Sequence, residues 1–322
     1  MTSGPRVLAR VLAVSFACGV SSHGAIEAAE LAGVVTELRV GTGAVRVKSA
    51  DATAWTVARP LMSLYPGDQI RADGDSRTAV LLIGGAVKLV TAKESPFTIQ
   101  PPGAEHSATA MNTVLTNAAR LLASKYREPT MQLLGSRVGS ERGEAPLIAS
   151  PRETRLLTAP ATFVWSGPRD ARYAIEIVGP RGRQWVATNL AGPSVRYPAD
   201  ASVFGQGVRY RWILSTPGHA PTASWFEIAR DQDVAELRST LALADNAAAD
   251  GVSASTAVIV RATLLARNRF LQAATDELEQ ALKTRQDDAA LWFVLGTVYE
   301  QAGLSDQAST CFERARTLTD QR

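Results

Sequence analysis

Trp292-Phe293-Val294-Leu295-Gly296-Thr297-Val298-Tyr299-Glu300-Gln301-Ala302-Gly303, continued by Ala308, Phe312 and Ala315, is the stretch that decides how the C-terminal part of this chain folds. Its apolar and small residues recur at steps of three and four, which gathers them on one face of a helix. Gly303 interrupts the pattern before it resumes, so the segment reads as helix, turn, helix. The pattern stands again 34 residues upstream, with Ala262 for Gly296, Leu265 for Tyr299, Ala274 for Ala308, Leu278 for Phe312 and Ala281 for Ala315. Small residues at 262/296 and 274/308 let paired helices approach closely. Large ones at 299 and 312 fill the space between units.

These residues resemble the tetratricopeptide (TPR) signature, with repeats at 255–288 and 289–322 and Asp320 where the family carries a terminal proline. The resemblance implies a protein-binding module whose first helices line a groove. By spacing, Thr263, Arg267, Thr297, Glu300 and Gln301 would face a partner. About three repeats are usual for a stable stack. Within a helical domain of 231–322, a preceding helix over 231–249, with Val234, Leu237, Leu241 and Leu243 on one side, would supply a cap, or the stack would be completed by docking on the β modules or by self-association.

Upstream, residues 151–230 change period. Phe163-x-Trp165, Tyr173-x-Ile175-x-Ile177 and Tyr210-x-Trp212 alternate, with Gly/Pro turns every 10–15 residues. This is the rhythm of a β-sandwich, and it resembles immunoglobulin-like and fibronectin-III domains. Trp165 and Trp212 read as core. Exposed, coplanar tryptophans among 165, 185, 212 and 225 would instead make a sugar-binding face.

Residues 31–100 alternate around glycine pairs and turn signals at Pro66-Gly67-Asp68, Asp73-Gly74-Asp75 and Gly84-Gly85, predicting about eight short strands. The order Gly43-Ala44-Val45-Arg46-Val47, Trp55, Tyr65-Pro66-Gly67-Asp68-Gln69-Ile70, Thr78-Ala79-Val80-Leu81-Leu82, Gly85-Ala86-Val87-Lys88-Leu89 resembles the FecR-type domain. That family includes signal transducers with a true membrane span. This sequence has only a leader-like segment before the domain. Between the β regions, 101–150 reads as a helix over 107–127 and then a flexible linker containing Gly135, Gly139 and Gly143, without a nucleotide-binding motif.

Arg6 and Arg10, an apolar run from Val11 to Val20 and small residues around Ser22–Ala25 give residues 1–25 the order of a cleaved secretory signal. Ser15 stands where a lipoprotein leader around Cys18 would carry leucine. Without Arg6 and Arg10 the 34 basic residues become 32 against 31 acidic ones, a net charge of +1, which disfavours nucleic acid as a partner. Cys311 is then the lone cysteine, so no intrachain disulfide forms. No nucleophile elbow or metal-spaced cluster occurs, and His106 and His219 sit in loop-like sequence. No catalytic residue, cofactor or metal is expected.

The expectation is a multi-domain all-β plus all-α protein of the periplasm, with no membrane span after leader cleavage. It would be a non-enzymatic envelope adaptor that binds a protein or peptide through its repeats. The alternatives are a peptidoglycan- or polysaccharide-binding module and a FecR-type regulatory protein.

Overall fold

A computed structural model describes residues 30–102, 110–125, 145–160, 162–249 and 253–320. The expected leader and the glycines at 135, 139 and 143 lie outside the described residues. The chain is β-rich in its N-terminal and central parts and helical in its C-terminal part, as the residue periods require.

Eight strands come first: β1 (Gly33–Arg39), β2 (Val45–Lys48), β3 (Thr56–Val57), β4 (Ser63–Leu64), β5 (Gln69–Ala72), β6 (Arg77–Leu82), β7 (Val87–Val90) and β8 (Phe97–Thr98). They form two antiparallel four-stranded sheets, ordered β4-β1-β6-β7 and β3-β2-β5-β8. Gly84 and Gly85 turn the chain between β6 and β7 at positive φ, 104° and 90°. At Gly85 a side chain would also meet the backbone of helix α1 (Ala110–Lys125), since an added Cβ falls 2.9 Å from Asn112 Cα. α1 buries Leu115, Ala118, Ala119 and Leu122 in one core with Val34, Leu61 and Leu81.

Then follow β9 (Leu147–Ser150), β10 (Thr154–Leu156), β11 (Thr162–Ser166), β12 (Tyr173–Gly179), β13 (Gly182–Leu190), β14 (Ser194–Arg196), β15 (Arg209–Ser215) and β16 (Thr222–Ile228). A three-stranded sheet, β14-β11-β9, and a five-stranded sheet, β10-β16-β15-β12-β13, result. Only the β10–β16 pairing among these is parallel. Phe163, Trp165, Trp212 and Phe226 are buried between them. The Trp212 indole donates to the Pro151 carbonyl at 2.7 Å, which satisfies its one polar atom.

The helices are α2 (Asp231–Ala249), α3 (Ala254–Arg267), α4 (Leu271–Leu282), α5 (Ala289–Gln301) and α6 (Ser305–Asp320). Among the described residues no helix is long and apolar enough to cross a membrane. α4 and α6 start 34 residues apart, at Leu271 and Ser305. Ala262, Ala274, Ala308 and Gly296 are all buried at the helix contacts. An added Cβ on Gly296 would meet the Phe312 ring at 2.7 Å, so the absent side chain is what lets α5 and α6 close.

The helical part does not stand apart from the sheets. β1 is buried on both faces because α3 and α5 pack over the face its own sheet leaves open. Thr36, which alternation assigns to solvent, lies 2.8 Å from the Thr256 hydroxyl, and Glu37 is ion-paired with Arg77 and Arg39. Asp288 caps α5 by accepting from the Ala290 amide at 3.0 Å, and the same oxygen accepts from Leu38 on β1 at 3.3 Å.

A second junction sits at the other end of the helices. Phe270 precedes α4 and gives it no side-chain cap. Thr154 on β10 takes that role from a distant part of the chain, accepting from Leu271 at 3.0 Å and Gln272 at 3.4 Å. Arg152 donates to the Ala302 and Gly303 carbonyls, which closes the end of α5. Thr154→Val is therefore expected to lower stability by about 1–2 kcal/mol, and Thr154→Ser to restore most of it. Thermal denaturation of both variants checks this. An unchanged midpoint in Thr154→Val would remove the capping role.

Candidate interaction surfaces

The five residues expected to line the groove do not form one surface. Thr263 and Thr297 are buried, at 5% and 6% exposure, and Thr297 donates to the Val294 carbonyl at 2.6 Å. The expectation is corrected for these two positions. The physical reason is that β1 and α1 pack onto α3 and α5, so that side of the helices is occupied within the chain. Arg267 and Glu300 are exposed, and Gln301 is half-buried.

Elsewhere on the helices, a cleft of about 550 Å³ lies open between α4, α5 and α6. Leu282, Trp292, Leu295 and Cys311 supply its apolar lining, with Lys283 and Arg314 at its rim. Trp292 is held by a bond from its indole to the Gln286 carbonyl at 2.9 Å, which leaves the ring half-buried. The Tyr299 hydroxyl donates to Glu279, tying α5 to α4, and burial beside that carboxylate pushes the phenol pKa up. Burial also pushes the Cys311 thiol up to about 12. Thiolate is the reactive form, so Cys311 should resist a disulfide reagent at pH 8 and react at once in denaturant. Rapid labelling of the native protein would contradict that placement.

The tryptophans separate into two groups. Trp165 and Trp212 are core. Trp185 packs against Phe163 and Tyr197, with ring centroids at 6.2 and 5.2 Å. Trp225 lies on the outer face of the five-stranded sheet, beneath Arg209 at 4.1 Å and near Arg269 at 5.6 Å. It borders a second cleft of about 540 Å³ that Arg209, Arg211 and Glu153 also line. The four tryptophans thus make no shared bare platform. The arginines of this cleft were not singled out by the sequence reading. Their signal was there in Arg209-Tyr210-Arg211-Trp212, where alternation sends both arginines to one face and both rings to the other.

Among the described residues no group of three or more His, Cys, Asp or Glu side chains is placed to hold a metal ion. No protein-family model matches the chain, and no curated protein matches it at a significant level.

Proposed function

We propose that this protein is a non-catalytic adaptor of the cell envelope, exported to the periplasm, whose two TPR-type helix pairs present a binding surface for a protein partner. In this reading residues 31–100 are a FecR-type domain and 151–230 an immunoglobulin- or fibronectin-III-like domain, and both act as braces for the helices. The observation that carries it is the division of the helical surface. One side is filled by the chain's own β1, and the apolar cleft between α4, α5 and α6 is left uncovered with Trp292 half-buried in it. A half-buried aromatic in a cleft with a charged rim has the composition of a protein-binding hot spot.

The test is cross-linked capture from envelope extract by the chain lacking its leader. The control carries Thr310→Trp and Arg314→Glu, which fill and recharge the cleft from exposed positions. A protein captured by the parent chain and lost by at least tenfold with the control supports the reading. Equal capture by both rejects the cleft as the binding surface.

A further inference from the structure

We infer that the cleft on the outer face of the five-stranded sheet binds a carboxylate-bearing saccharide. Arg209 and Arg211 stand two residues apart on β15, so their side chains leave the same face about 7 Å apart. Tyr210 and Trp212 between and beside them are buried in the core on the opposite face. The Arg209 guanidinium carbon lies over the Trp225 ring, 4.1 Å from its centroid. Its acidic neighbour Glu227 is 4.0 Å away and is held more closely by Arg155, at 3.2 Å. Arg211, an exposed residue, makes no ion pair among the described residues. Across the cleft, Glu153 is paired with Arg269 at 3.5 Å. Two guanidinium groups, those of Arg209 and Arg211, thus line the cleft, while its two nearby carboxylates, Glu153 and Glu227, are each paired with a further arginine, and the local charge is positive.

The sheet itself narrows the ligand class. β15 is hydrogen-bonded to β12 on one side and β16 on the other, so its backbone is fully used. An extended peptide cannot add a strand here, and any ligand must be read by side chains alone. Guanidinium forks match the planar geometry of a carboxylate. Glu153 at the rim offers an acceptor to a hydroxyl, a group that every sugar ring carries and a glutamate side chain lacks. Val178, Pro180 and Ala223 add apolar area suited to the C–H face of a ring, in a volume of about 540 Å³. Carboxylate, hydroxyls and a compact ring together describe an acidic sugar.

Calorimetric titration of the whole chain tests this with three probes: a galacturonate trimer, the neutral maltotriose and triglutamate. The acidic sugar is expected to bind at least tenfold more tightly than either of the others, and more weakly as salt is raised. Arg211→Gln is expected to weaken it at least tenfold with no change in thermal midpoint, because Arg211 is exposed and makes no ion pair among the described residues. Failure of the galacturonate trimer to bind would overturn the proposal. So would equal binding of triglutamate, or full binding by Arg211→Gln.

Discussion

Asp288→Asn is expected to be at least as stable as the parent protein at pH 7.5, while Asp288→Ala falls about 2–4 kcal/mol below the asparagine variant. The carboxylate oxygen that caps α5 also receives the Leu38 amide, and asparagine keeps that acceptor. Alanine removes it, which costs a helix cap and leaves a buried N–H of β1 unpaired. The charge itself is unfavourable where it sits. Asp288 is fully buried, and its second oxygen and the Ser255 hydroxyl each lack a hydrogen bond of normal geometry. Burial and then the Glu37 charge raise its pKa from 3.8 to about 6, against the pull of Ser255 and the two amides. The other charges at this junction are Arg39 and Arg77, both paired with Glu37, and Asp287 at 3.5 Å from Arg39.

The sign of the pH effect follows. A carboxyl that holds its proton more tightly in the folded state than in the unfolded one stabilises the fold at low pH. That contribution is fully present below about pH 4 and is lost as pH rises through about 6. Over that window it amounts to about 3 kcal/mol as an upper figure. Denaturant unfolding at pH 4.5 and 7.5 should therefore show the parent gaining on Asp288→Asn as the solution is acidified. Parallel curves for the two proteins would show that Asp288 is ionised throughout.

Leu38→Ala carries the other large effect, about 2–5 kcal/mol, and its distribution matters more than its size. Leu38 is wholly buried in a cluster that includes Ala289 and Leu318 from α5 and α6. Truncating it leaves a cavity shared by a sheet and two helices. Amide exchange is expected to rise in α5 and α6 as well as in β1 and β6, with one unfolding transition. Loss of protection confined to the strands would mean that the helices are stable by themselves.

Much of this fold was legible in local chemistry. Gly74, Gly84 and Gly85 marked turns because only glycine adopts their positive φ without cost. The fully buried Trp212 was readable from the alternation on β15, and the spacing of Gly296 and Phe312 announced a close helix pair. What could not be read was β1. Gly33-Val34-Val35-Thr36-Glu37-Leu38-Arg39 looks half-buried because Thr36 and Glu37 are polar. Both are buried, the first against Thr256 and the second between two arginines. Alternation reports how many faces a strand hides only when polar residues are on the wet side. Here their partners come from α3 and from neighbouring strand positions, which no local pattern encodes. The misplacement of Thr263 and Thr297 has the same origin. A repeat signature describes the helices but not what else the chain lays against them.

The bond from Leu38 to Asp288 joins residues 250 positions apart. Leu318, which completes the same cluster, follows Leu38 by 280 positions. A chain made from its N-terminus at roughly 5–20 residues per second leaves about 15–60 s between the appearance of the two. Through that interval the Leu38 end of β1 lacks the cover that α5 and α6 supply. Among the described strands β1 thus comes first and is completed last, so its full packing waits on the far end of the chain and its contacts weigh towards slow folding.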